Sequence, residues 1–157
     1  PSLPPERTFV NMDFSNLEQY NYHEIMENHV VYCISRSHRY ADQKKLSMDM
    51  LEGEKIILLN TDSVLNRQIL EKYNAAKIKP TVCLYSSQLY TTLNFVRRGD
   101  CGAFLYSSIA VNPRDFVHLP LDPVAHSHFG IIWKKGSFIS QKSAQFIKFI
   151  QHYQMVQ

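Results

Sequence analysis

Residues 55–106 read KIILLNTDSVLNRQILEKYNAAKIKPTVCLYSSQLYTTLNFVRRGDCGAFLY, and their pattern decides the fold. Lys55–Leu59 is a short apolar run, read as a buried strand. Asn60-Thr61-Asp62-Ser63 is a polar turn ending in good helix-capping residues. Val64–Ala76 follows as a helix, with Leu65, Ile69, Tyr73 and Ala76 forming one apolar stripe. Pro80 forbids further helix, and Thr81–Tyr85 is a second strand. Ser86 and Ser87 are a second pair of candidate N-caps. Gln88–Arg98 is then a helix with Leu89, Leu93 and Val96 on one face. Gly99 stops it, and Ala103–Tyr106 is a third strand. Strand, helix, strand, helix, strand with short connections predicts a parallel, right-handed βαβαβ unit. Each strand-to-helix turn falls at a strand's C-terminal end, the edge where open α/β sheets bind ligands.

Outward from this core, Ser47–Leu51 reads as one helical turn capped by Ser47 and closed by Gly53. His29–Ser35 (HVVYCIS) reads as a buried strand. Leu17–Ile25 alternates loosely and reads as a partly exposed strand. Phe9–Phe14 reads as a strand or ordered arm, and residues 1–8 as a Pro-rich tail. On the other side, Phe116–Leu121 and Phe129–Lys135 are strands joined by a polar turn, Asp122–His128. Ser140 caps a C-terminal helix whose apolar stripe is Phe146, Ile147, Ile150 and Tyr153.

The 157 residues are 45% hydrophobic and 20% charged, a globular composition that can bury a core without disulfides. No apolar run approaches the roughly 18 residues of a transmembrane helix, and a membrane partner is not expected. The sequence starts at Pro1 rather than Met, with no signal-peptide pattern, and is expected to be part of a longer chain. Lys and Arg number 17 against 14 Asp and Glu. That balance is too mild for nucleic acid, and Lys44-Lys45, Arg97-Arg98 and Lys134-Lys135 are far apart in sequence. Three cysteines, an odd number with no CxxC, fit a reducing compartment. Cys33 and Cys83 lie in strand-like runs and read as small hydrophobes. Cys101, beside glycines, is expected to be more exposed.

Enzyme signatures are missing: there is no GxSxG, GxGxxG, Walker A lysine loop or HExxH. Gly99-Asp100-Cys101-Gly102 follows a helix and precedes a strand, the reverse of a dinucleotide loop, and reads as a helix C-cap and tight turn. His126-Ser127-His128 would put two imidazoles on one face of a strand. A zinc site needs a third ligand, for which only Asp122 and His118 are conceivable. No catalytic residue, metal ligand or cofactor is assigned. Arg67, one turn into a helix, is either held by a specific contact or faces solvent. The two turns remain the informative places. Asn60 and Thr61 precede one helix, and Ser86 and Ser87 precede the other. Free amides at helix N-termini with hydroxyls beside them make a neutral anion site. In a parallel unit both turns lie on one sheet edge and can converge on one small carboxylate-bearing ligand; the plainer reading is that the hydroxyls only cap their helices.

From about Leu17 to Phe149 the chain resembles the effector-binding domain of LysR-type transcriptional regulators. Val30–Ser35 with Ser37-His38-Arg39-Tyr40-Ala41 looks like that family's strand and following His-Pro-Leu-Ala segment. Val96-Arg97-Arg98-Gly99-Asp100-Cys101-Gly102-Ala103-Phe104 looks like its Val-x-x-Gly-x-Gly element. Lys55–Asn60 with Arg67, His118-Leu119-Pro120-Leu121, Ile131-Ile132-Trp133-Lys134-Lys135 and Ser140 through Phe149 follow in the family's order. Arg39-Tyr40 departs from Pro-Leu, and Cys101 stands where the second glycine usually is.

The resemblance implies an α/β fold: a periplasmic-binding-protein-like (type 2) lobe with a βαβαβ core, closing strands and a C-terminal helix. It implies residues 1–28 as a remnant of the first lobe or irregular arm, 29–135 as the second lobe, and 136–157 as a helix packing on the first lobe. It implies ligand sensing, with Asn60, Thr61, Ser86 and Ser87 contacting a small anionic inducer. The remaining expectations are a homo-oligomer, a dimer in the first instance, in the bacterial cytoplasm. DNA is contacted only through a helix-turn-helix domain absent from this chain. The alternative is a lobe of a periplasmic-type solute-binding protein, disfavoured by the free cysteines and missing signal peptide. A small α/β enzyme is a third reading, without a nucleophile or metal to carry it.

Overall fold

The computed structural model describes residues 18–59, 63–109 and 111–152, together with the backbone of strand β1 (Thr8–Asn11). These residues divide into two compact units. One comprises His29–His126, and the other the residues up to Asn28 and from Ser127 onward.

In the His29–His126 unit, β4 (Lys55–Leu58) lies between β5 (Thr81–Tyr85) and β6 (Gly102–Tyr106), parallel to both. Ile56 pairs with Val82 on one side and Gly102 on the other. Helices α1 (Val64–Ala75) and α2 (Leu89–Arg97) make the crossovers, so the βαβαβ unit forms as the sequence predicts. The unit's part of β2 (Tyr20–Ser35) runs antiparallel to β6 and, on its other side, to β7 (Phe116–Asp122). The short β3 (Leu46–Ser47) pairs parallel with β7.

A strand with helices on both sheet faces must be apolar on both. Ile56 and Leu58 share one cluster with Leu65, Ile69 and Tyr73 of α1, Tyr32 and Phe104. Ile57 faces the other, with Val96 of α2, Cys33, Cys101 and Leu105. Ser63 is the α1 N-cap, its hydroxyl accepting from the Asn66 amide at 3.0 Å. Gly99, at φ +79°, ends α2 in the left-handed conformation that glycine adopts freely. Gly102 is required by close approach. A Cβ there would lie 2.2 Å from Cζ of Tyr32, a fully buried ring packed 5.0 Å, centroid to centroid, from Phe104.

Several local expectations are corrected. Leu17–Ile25 and His29–Ser35 read as two strands, yet Tyr20–Ser35 is one strand of 16 residues. Met26-Glu27-Asn28 contains no Gly or Pro to break it, and Asn28 is buried. Ser47 is extended and makes no side-chain cap bond; the turn after it, Met48–Leu51, is 3-10. The expected turn Asp122–His128 is shorter, because β7 reaches Asp122 and β8 (His126–Lys134) begins at His126. Ala76 is exposed at the α1 C-cap rather than part of the stripe.

Cys33 is buried as expected, but the exposures of Cys83 and Cys101 are reversed from expectation. Cys101 is buried, because it closes the α2 side of the core. Cys83 is exposed, because β5 is the outer strand and Cys83 sits at an irregularity between the Ile56–Val82 and Ile57–Leu84 pairs. Its Sγ lies 3.3 Å from the Ile56 carbonyl oxygen. Burial pushes the Cys33 and Cys101 thiols up to about 12.

In the other unit, β1 pairs antiparallel with β8. Lys135 N donates to Gln19 O at 2.9 Å. Helix α3 (Gln141–His152) follows Ser140, whose hydroxyl accepts from Ser143 N at 3.3 Å. Phe146 and Phe149 on α3 are exposed, and Tyr153 lies outside the described residues.

Candidate functional site

The strand-to-helix turns sit at the C-terminal ends of β4 and β5, and the parallel pairing brings these ends side by side. The end of β4 is tied to the second turn, Ser86 N donating to Leu58 O at 3.0 Å. Asn60 and Thr61 lie outside the described residues, and Ser63 is committed to its cap.

At the second turn the two serines differ. Ser86 is buried, and its hydroxyl accepts from Gln88 N at 3.1 Å and lies 3.2 Å from Gln88 O. It therefore shapes the turn, whereas the N-cap position of α2 is Gln88, which makes no side-chain cap bond. The expectation that Ser86 and Ser87 cap this helix is corrected. An Asx-like loop closed by Ser86 displaces the cap by one residue. Gln88 O instead accepts from both the Thr92 amide and the Thr92 hydroxyl, each at 3.1 Å. Ser87 is exposed beside an α2 N-terminus whose first amides receive no side-chain cap. Such amides and a free-standing hydroxyl suit an oxyanion with no cation present.

The other sequence candidates fall elsewhere. His126 is exposed at the start of β8, and His128 is half-buried with Nδ1 2.9 Å from Glu24 Oε1. Among the described residues no three His, Cys, Asp or Glu side chains gather as a metal set. Arg67 is exposed. His38 was legible only as part of a motif. Its Nδ1 accepts from Tyr40 N and its Nε2 lies 3.0 Å from Glu54 Oε2, which also pairs with Arg39. This cluster ties the segment after β2 to the entry of β4, a structural role.

The family model for the LysR substrate-binding domain matches residues 9–154. An HTH-type transcriptional regulator of Bacillus subtilis (strain 168), YwbI, is 24% identical over 133 residues. The match takes in 82% of this chain and 44% of that protein, so the chain spans less than half the length of this relative. The regulatory domain of Synechocystis PCC6803 CcmR, solved in complex with 2-PG, superimposes with a TM-score of 0.83 at 14% identity. It covers 96% of this chain and 74% of that one. The effector-binding domain of QuiR in complex with shikimate gives 0.78 at 14% identity, over 95% and 71% of the two chains. At these identities the likeness establishes the fold, the type 2 periplasmic-binding-like fold of these regulatory domains. The family is regulatory and non-enzymatic, which sets aside the solute-carrier and enzyme readings. Matched by its family model over nearly all of its length, the chain belongs to the LysR substrate-binding domain family.

Proposed function

We propose that this chain is the effector-sensing part of a LysR-type transcriptional regulator and binds a small anionic metabolite at its two strand-to-helix turns. Asn60, Thr61, Ser86 and Ser87 are the contacts, Ser86 mainly by holding the turn. The observation that carries this reading is the Ser86 N–Leu58 O hydrogen bond, which ties the second turn to the C-terminal end of β4 at one sheet edge. The uncapped first amides of α2 add donors suited to carboxylate or phosphate. Membership in the family and neighbours solved with 2-PG and with shikimate support a small, oxygen-rich ligand.

The mechanism is a population shift. A ligand that binds one arrangement of the regulator more tightly favours it by that difference in affinity. DNA contact falls to a helix-turn-helix domain outside this chain, as the name of the Bacillus relative suggests. The working form is a homodimer or larger homo-oligomer in the bacterial cytoplasm.

Calorimetric titration of the chain with small carboxylates and phosphate esters, shikimate and 2-PG among them, tests the site. The expected result is one binder whose affinity falls about tenfold in Ser87→Ala or Thr61→Val, the loss of one hydrogen bond to a charged group. A binder with unchanged affinity in both variants refutes the assignment to the turns.

A further inference from the structure

Away from those turns, the segment after β6 and strand β7 line a broadly open surface cavity of about 440 Å³. That volume is in the range of small-molecule sites. Its polar groups are Arg36, Ser107 and His118, and its apolar wall includes Ile109, Val111 and Phe116. We propose that this cavity is a second binding site, for a small carboxylate carrying an apolar body.

The strand pattern builds the floor. Phe116 and His118 alternate with Val117 on β7, so both lie on one face, about 7 Å apart along the strand. They stand opposite Ser35 and Cys33 of β2. His118 Nε2 is buried and has no hydrogen-bond partner among the described residues. A buried polar nitrogen left unpaired is costly, and a small turn of the ring toward the cavity would let a ligand oxygen relieve it. Burial also lowers the His118 pKa, which leaves the ring neutral at pH 7.

Arg36 supplies the charge. Its Nε donates to the Pro113 carbonyl, which fixes the guanidinium at the cavity wall. Among the described residues no carboxylate pairs with it. The nearby Asp115 is engaged by Arg97 at 3.4 Å and by Asn112 at 3.3 Å, so it does not neutralise Arg36. One guanidinium, one neutral imidazole and an apolar wall match a monoanionic carboxylate with a hydrophobic body better than a phosphate dianion. Ser107 lies at the mouth of the segment, and its N donates to His29 O at 2.9 Å while its Oγ lies 3.1 Å from His29 Nδ1. His29 is the residue at which β2 enters this unit.

The test is titration of the 15N-labelled chain with phenylacetate, followed by amide chemical shifts. Saturable shifts are expected at Arg36, Ser107, Phe116 and His118, with a millimolar or tighter Kd. Arg36→Gln should weaken binding about tenfold or more, and His118→Leu should weaken it several-fold. Neutral phenylacetamide and inorganic phosphate should each bind about tenfold more weakly or not at all. Any of four results overturns the proposal: no saturable shift, shifts confined to residues 58–63 and 85–88, unchanged affinity in Arg36→Gln, or equal binding of the amide or of phosphate.

Discussion

Substituting Gly102 by Ala tests the packing logic of the whole sheet. The added Cβ would sit 2.2 Å from Cζ, 2.3 Å from Oη and 2.5 Å from Cε2 of Tyr32. Ordinary carbon contacts begin about 1 Å further out, so the ring or the strand must retreat by that much. Neither has room. Tyr32 is fully buried, with the Phe104 centroid 5.0 Å away and the His38 ring edge-on at 6.4 Å. Its strand is held on both sides, with Tyr32 opposite Phe104 of β6 and Leu119 of β7. Overpacking of this kind costs about 1–3 kcal/mol, and a rigid ring between two strands places the cost near 3. With a urea m-value of about 2 kcal/mol/M, the denaturation midpoint should fall by about 1.5 M. The same change in a Tyr32→Leu background, where the offending ring atoms are gone, should be neutral or stabilising by about 0.4–1 kcal/mol. The cycle therefore has a coupling of about 3 kcal/mol. A Gly102→Ala chain within about 0.5 kcal/mol of the parent, or an equal penalty in both backgrounds, would refute the reasoning.

Thiol chemistry should follow burial. Iodoacetamide at pH 8 is expected to modify Cys83 in the native chain and to reach Cys33 and Cys101 only after denaturation, as mass spectrometry of digested peptides would show. Native-state labelling of Cys101 at the rate of Cys83 would contradict the placement. His118 predicts a pH effect. Its folded pKa lies below the unfolded value of about 6.5, so below that pH the unfolded chain binds more protons. Stability should be present at neutral pH and fall as the pH drops through 6.5 toward the folded pKa. Thermal unfolding between pH 7 and 5 should show part of that slope vanish in His118→Leu, and an identical slope would exclude the contribution.

The βαβαβ core was legible because each of its strands is a short apolar run and each helix a stripe, with polar turns between. Lys55–Leu59 could be little else once Ser63 and the Leu65, Ile69, Tyr73 spacing followed it. What stayed illegible depends on position within the sheet, which local pattern does not encode. The run TVCLY looks buried, yet β5 is outermost and Cys83 is exposed, while Cys101 beside two glycines is inside. Local hydrogen bonding was equally hidden. Two adjacent serines before a helix suggest a cap, but Ser86 closes its own loop and Gln88 takes the cap position. His118 in FVHLPL gave no sign of the cavity it lines, because Arg36, which brings the charge to it, comes from the far-off end of β2. The motif around Gly99 and Gly102 was visible as a string. Its physics, one glycine for backbone angle and the other for a neighbouring ring, needed the tertiary structure.

The irregular pairing at Cys83 bears on how copies of this chain can meet. An outermost strand normally offers a row of unsatisfied amides and carbonyls to any passing chain, the beginning of aggregation. Here that ribbon is short, enters immediately after Pro80, and loses its regular repeat between Val82 and Leu84. An incoming strand would fall out of step after two residues. Association through continuous β-pairing is thereby discouraged along this side, leaving contacts between side-chain surfaces as the route to a defined assembly.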